Sequence, residues 1–142
     1  MQVTLLDADR IEAEWPTIAE LMAPALAVNP RGATTVGQFR ADLANGKLSI
    51  VGGDAEGARG YLAFQLFEEQ GERCCFASYF AGSVDGGPRQ MIKTMRALMT
   101  AFEASCREAG VVRVLIGGRD WGRVFPDYEL TGDVPNRRQK RL

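Results

Sequence analysis

Between Lys47 and Ile116 the apolar pattern changes its period, and few folds accommodate that order. Three short apolar runs come first: Lys47–Val51, Arg59–Phe67 and Arg73–Phe80. Gly52-Gly53-Asp54 ends the first run, and Glu68-Glu69-Gln70-Gly71-Glu72 joins the other two as a polar, glycine-containing connection. Runs bounded in this way read as an antiparallel meander. A helical period follows from about Pro88 to Ala109. Pro88 suits the first helical position. Met91, Met95, Leu98, Met99, Phe102 and Cys106 form one apolar stripe, with Arg89, Lys93, Arg96, Glu103 and Arg107 off it. Glu103 and Arg107 have the spacing of an exposed helical ion pair. Gly110 closes the helix. Val111–Ile116 is then apolar throughout except for Arg113, as in a buried central strand.

The N-terminal part supplies the covering layer. Gln2–Leu6 alternates as a strand, and Asp7 or Asp9 caps a helix whose apolar residues are Ile11, Trp15, Ile18, Met22 and Leu26. Pro16 and Pro24 interrupt that stretch, and Pro24 is expected to kink or end it. Asn29-Pro30-Arg31-Gly32 reads as a turn. Thr35 and Gln38 fit a capping box for a second helix with Val36, Phe39 and Leu43 on its apolar side, stopped by Asn45-Gly46. Trp121–Tyr128 reads as a short helix broken near Pro126. The expected fold is α/β (α+β): a central mixed, mostly antiparallel sheet flanked by helices, in one domain over residues 1–132.

Residues 133–142 are expected to be a basic tail. Arg137, Arg138, Lys140 and Arg141 stand at its end with no acid among them, although the chain's net charge is −1. Two readings stay open: a solvated chain end, or a segment that docks on an acidic groove, a neighbouring subunit or a nucleic acid. The near-neutral whole argues against nucleic acid as the main partner. With no histidine in the chain, His-based triads and His metal ligands are excluded. Cys74, Cys75 and Cys106 lack C-x-x-C spacing, so no metal is expected, and they read as reduced apolar residues of a cytoplasmic protein. Neither a signal peptide nor a membrane-spanning run is expected.

The element order of strand, two helices, three antiparallel strands, long helix, strand and short helix resembles the GNAT superfamily of acyl-CoA-dependent N-acetyltransferases. The resemblance covers about Gln2 to Leu130. It implies that the strands before and after the long helix splay apart, with acetyl-CoA in the cleft and its diphosphate on amides at the helix start. Tyr79-Phe80-Ala81 would form one wall of that cleft and Val114-Leu115-Ile116 the other. Ser83–Gln90 would be the phosphate loop, with Phe80, Ala81, Gly86, Gly87, Arg89 and Gln90 as cofactor-binding residues. The sequence departs from the family loop. Arg89 stands where the central glycine is usual, and Gly86 where a basic residue is. Gly86-Gly87-Pro88 also reads as a plain turn.

In the family a tyrosine on the short helix often protonates the departing thiolate. Phe125 lies nearest that place and cannot donate a proton, so Tyr128 is the candidate. The alternative is that Trp121, Phe125 and Tyr128 share a helical side and pack the domain end. Asp85 is the candidate general base, or else a turn former. Glu68, Glu69 and Glu72 read as solvated. The resemblance implies transfer of an acetyl group to an amine, on a small molecule or a protein. The alternative is a non-catalytic, GNAT-like protein of phage assembly or protein–protein interaction, acting in the host cytoplasm and with a second copy of the chain as a candidate partner. A toxin- or antitoxin-like module is a third reading.

Overall fold

The computed structural model describes residues 1–28 and 34–142. In chain order its elements are β1 (Gln2–Leu5), α1 (Ala8–Ala27), α2 (Val36–Ala44), β2 (Ser49–Ala55), β3 (Ala58–Glu69), β4 (Glu72–Val84), α3 (Pro88–Glu108), β5 (Arg113–Ile116), β6 (Glu129–Leu130) and β7 (Arg138–Arg141). The strands form one sheet in the order β1-β2-β3-β4-β5-β7-β6. Only β4 and β5 pair in parallel among the described residues; the other neighbours are antiparallel. The mixed, mostly antiparallel sheet flanked by helices is the architecture expected from the sequence. The expected turn at Asn29-Pro30-Arg31-Gly32 lies outside the described residues.

Alternation along the strands divides the core between the two faces. Tyr61 and Ala63 of β3 join Ile18, Met22 and Phe39 beneath α1 and α2. Leu62 and Phe64 join Leu98, Phe102, Cys75 and Val114 beneath α3. The β3–β4 hairpin turns at Gln70-Gly71, both with positive φ, as a tight two-residue hairpin requires. Its register breaks once. Ala63 faces Tyr79 and Phe64 faces Ala77, so Ser78 is an extra residue, a β-bulge. The bulge resets the alternation, turning Phe80 toward α3 and Tyr79 and Ala81 toward α1 and α2.

Several expectations are corrected. α1 runs unbroken through Pro16 and Pro24. Both prolines are on the exposed side, where the carbonyls that lose their N–H partners are open to solvent, while Ile18, Met22 and Leu26 hold the helix down. β2 continues through Gly52-Gly53. There the glycines serve close approach: a Cβ on Gly53 would lie 3.1 Å from Leu98 Cδ1 and 2.8 Å from Met1 Sδ. Only half of the α2 capping box forms. Thr35 Oγ1 accepts from the Gln38 N–H at 3.0 Å, but the Gln38 side chain turns forward to Asp42.

Residues 119–128 form turns rather than the expected helix. The expected basic tail is not a tail. Arg138–Arg141 is β7, paired with β5 on one side and β6 on the other. Its charges are matched within the chain: Arg138 with Asp120, Lys140 with Glu103 and Asp127, Arg141 with Glu72, and the preceding Arg137 with Asp133. Among the described residues no helix is long and apolar enough to cross a membrane, and no cluster of acids and cysteines could hold a metal ion.

Candidate functional site

The β4–β5 ladder is short. Cys74, Cys75, Phe76 and Ala77 pair with Arg113, Val114, Leu115 and Ile116. There β5 stops, whereas β4 runs on to Val84. At about 3.3 Å per residue, the stretch from Ser78 to Val84 leaves about 20 Å of β4 without β5 beside it. The divergence begins at the Ser78 bulge and ends where Asp85-Gly86-Gly87 leads into α3. The sheet therefore has a notch between β4 beyond Ser78 and the chain leaving β5 at Gly117. Val114-Leu115-Ile116, expected as its second wall, are instead paired with Cys75-Phe76-Ala77, because β5 is hydrogen-bonded to β4 along its whole length.

At its far end the notch meets the start of α3. Gly87 is the N-cap, no side chain caps it, and Pro88 follows. The Gln90 and Met91 N–H groups both turn back to the Gly87 carbonyl, at 3.0 and 3.2 Å. A Cβ on Gly87 would meet nothing within 4 Å, so the backbone here is open to close approach. Gly86 has φ +158°, and a Cβ there would press on Gln90. Gly86, Gly87, Arg89 and Gln90 thus gather at one helix start, with the Arg89 side chain exposed. A helix start with a bare cap and a positive dipole end attracts anions.

Asp85 has a different setting. Its N–H donates to the Gly57 carbonyl at 2.7 Å, and its carboxylate covers Gly57, tying the β2–β3 turn to the α3 entry. Phe80 and Ala81 both lie on the unpaired stretch of β4 but face opposite ways. Ala81 packs toward α1 and α2. Phe80 faces Trp121 and Phe125, with ring centroids 5.1 and 5.5 Å away. Trp121 and Phe125 are 5.6 Å apart, and the three rings are 8, 7 and 3% exposed. On the α3 face, then, the gap between β4 and the chain after β5 is closed by aromatic rings.

Tyr128 continues this cluster, 5.9 Å from Phe125. Its side chain is buried and its hydroxyl donates to Glu103 Oε2 at 2.6 Å. Burial, then the Glu103 hydrogen bond and charge, push the phenol pKa far above its ordinary value. The other Glu103 oxygen accepts from Lys140 at 2.9 Å, and Lys140 also donates to Asp127 at 2.7 Å. Glu103 was expected on the exposed side of α3 beside Arg107; it is 4% exposed. Its partners lie 25 and 37 residues away, and no local spacing signals them.

No protein-family model matches the chain, and no curated protein matches it. Solved structures do. The GNAT family N-acetyltransferase YhbS from Escherichia coli, in complex with CoA, superposes with a TM-score of 0.63 at 20% identity, over 98% of this chain and 79% of that one. AAC(6')-Ib, in complex with ribostamycin and coenzyme A, gives 0.63 at 14% identity, over 99 and 92%. An aminoglycoside 6'-acetyltransferase type Ii gives 0.60 at 12% identity, over 98 and 94%. At these identities the likeness establishes the fold, which is that of the GNAT N-acetyltransferases.

Proposed function

We propose that this GNAT-fold chain binds acetyl-CoA along the unpaired stretch of β4 and transfers the acetyl group to a primary amine. The observation that carries the reading is the coincidence of two features. The strands part at the Ser78 bulge, and the stretch of β4 left free runs straight to the uncapped start of α3. Acetyl-CoA would bring a thioester to one end of that stretch and a diphosphate to the other. The amides around Gly87 and Arg89 would hold the diphosphate, with Arg89 and Gln90 beside it. Backbone N–H groups near the bulge, unsatisfied by β5, would polarise the thioester carbonyl. YhbS and AAC(6')-Ib, which share the fold, are complexed with CoA in their structures.

The geometry divides the two proposed acid–base residues. Asp85 lies at the diphosphate end, about 20 Å of strand from the bulge, so the proposal gives it the role of shaping the loop rather than removing a proton. Tyr128 is kept as the proposed donor to the thiolate, on the condition that its hydroxyl leaves Glu103. The acceptor is an amine of a small molecule or a protein, and a cytoplasmic setting suits both a reaction that consumes acetyl-CoA and a chain whose three cysteines are free and buried.

A second reading is favoured by the three rings in the notch and the engaged Tyr128: a GNAT fold kept without chemistry, used in protein interaction or phage assembly. Acetyl-CoA binding separates the two. A ligand at one hundred times its Kd stabilises a fold by about 2.7 kcal/mol. The wild type should therefore melt higher in millimolar acetyl-CoA. Gly87→Ala should melt normally without ligand, because its Cβ meets nothing, but lose most of that rise. No rise in the wild type or in a Trp121→Ala variant would leave the second reading in possession.

A further inference from the structure

We infer that residues 118–124 are a hinged flap whose Trp121 ring must leave the notch before the acyl-CoA arm can enter. This inference rests on the proposed acyl-CoA site and adds a control on access to it. The reasoning begins with space. A ligand reaching from the α3 start to the bulge runs along β4 on the α3 side. Phe80 projects from that stretch of β4, and Trp121 lies over it with 7% exposure. The ring and the arm cannot occupy the same volume.

The fastening of the segment is uneven. The chain just beyond it is held firmly: Tyr128 O–H on buried Glu103, Lys140 on Asp127, and Arg138 Nη1 on the Tyr128 carbonyl at 3.0 Å. Residues 118–124 themselves are held by three devices. One is Trp121 itself, through its ring contacts and the Nε1–H bond to the Gly117 carbonyl at 3.1 Å. A second is exposed Arg96 on α3, which donates to the Val124 and Arg123 carbonyls at 2.7 and 2.8 Å. The third is the ion pair of Asp120 with Arg138 of β7, at 3.4 Å with the Asp120 side chain exposed. Glycines stand at its entry: Gly117 and Gly118 lead into it, Gly118 at φ +96°. Gly122, inside it, serves close approach, since a Cβ there would lie 2.6 Å from Arg138 Nη2. Turns rather than helix span it, so lifting it breaks few backbone hydrogen bonds. A loop with an anchored end, a glycine end and one inserted ring is built to swing about that ring.

The closed form lowers the apparent affinity by the fraction of time the notch stands open. If the flap is open about one part in ten to one in a hundred, Trp121→Ala binds CoA about 10- to 100-fold tighter than wild type. Arg96→Ala, which leaves the core intact, shifts affinity in the same direction by a smaller factor. CoA is the probe, and isothermal titration reads its Kd in the wild type and both variants. Trp15 and Trp121 are the two tryptophans, so a Trp15→Phe background makes Trp121 the sole reporter. Its emission should move to the red as CoA is added. CoA binding by the wild type, with Kd values equal or weaker in both variants and emission unmoved, overturns the flap and leaves the acyl-CoA site standing. Absence of CoA binding by wild type, Trp121→Ala and Arg96→Ala alike overturns both. Should Trp121→Ala fail to fold, the Arg96→Ala affinity and the Trp121 emission decide.

Discussion

Replacing Lys140 by methionine tests whether β7 is locked to the domain by a buried charge or merely laid along its edge. Methionine keeps most of the stem and removes the ammonium. In the native arrangement that ammonium lies 2.9 Å from Glu103 Oε1 and 2.7 Å from Asp127 Oδ2. Asp127 is exposed and can turn to water. Glu103 is 4% exposed and would keep only the Tyr128 hydroxyl. Removing one partner of a fully buried pair costs about 3–5 kcal/mol. Lys140 retains 24% side-chain exposure, so water already screens part of the pair. The expected loss is therefore nearer 2–3 kcal/mol, roughly 5–10 °C in Tm for a chain of this size. Arg141→Met is the control: its partner Glu72 is at the surface, and its melt should be indistinguishable from wild type. Glu103→Gln combined with Lys140→Met should recover most of the loss, because the double variant buries no unpaired charge. Thermal and urea melts of the four proteins decide the matter. A Lys140→Met protein as stable as Arg141→Met, or a double variant less stable than Lys140→Met, would refute the reasoning.

Two further outcomes follow from the same network. Tyr128→Phe removes a hydrogen bond to a charged, buried acceptor and should cost about 1.5–3 kcal/mol in a denaturant melt. If acetyl transfer is observed and its rate survives that change, the phenol is structural. A rate lost beyond the loss of folded protein, with a shifted alkaline limb, makes it the proton donor. Acid should loosen β7 before it unfolds α3. The Lys140 hydrogen bond holds the Asp127 carboxyl below the ordinary carboxylate range. A carboxylate with a depressed folded pKa contributes fully above about pH 4, and its contribution is lost as pH falls through the folded value. Hydrogen exchange from pH 6 to 3 should therefore show Gln139 and Lys140 amides losing protection ahead of those in mid-α3. Equal loss in both would contradict this.

The parts of the fold legible in the sequence were those fixed by local period. The stripe Met91–Cys106 located α3 to within a residue, and the Thr35 cap located α2. What escaped depends on partners far along the chain. β7 reads as a charged tail because Arg138-Gln139-Lys140-Arg141 has no apolar alternation. It becomes a strand because β5 needs a neighbour on that side and because four acids at distant positions neutralise it. Glu103 escaped for the same reason. α1 departs in the other direction: the helix-breaking tendency of Pro16 and Pro24 is local, and tertiary packing of Ile18, Met22 and Leu26 outweighs it. At the site, the glycines of the α3 start were legible. The rings of Trp121 and Phe125 were legible as packing, but their partner Phe80 was not, since it faces them only because one extra residue at Ser78 reverses the alternation.

That one residue connects the fold to its site. β4 has 13 residues to the 12 of β3. Without a bulge the two would zip flat from Glu69 to Ala58, and the residues of β4 beyond Ala77 would present the opposite faces. Tyr79 would then point toward α3 and Phe80 toward α1 and α2. The bulge prevents this and also bends β4 locally, since an extra residue on one strand adds twist. β5, with only four residues, follows β4 up to the bend and no farther. The notch is thus a consequence of a length mismatch beginning at a bulge, and needs no special residue in β5. The same event that opens the backbone supplies the ring that fills the opening on the α3 side. A chain built this way separates two properties. The divergence of the strands is set by backbone register, which side-chain changes at Trp121 leave untouched. Access to it is set by how tightly three rings pack.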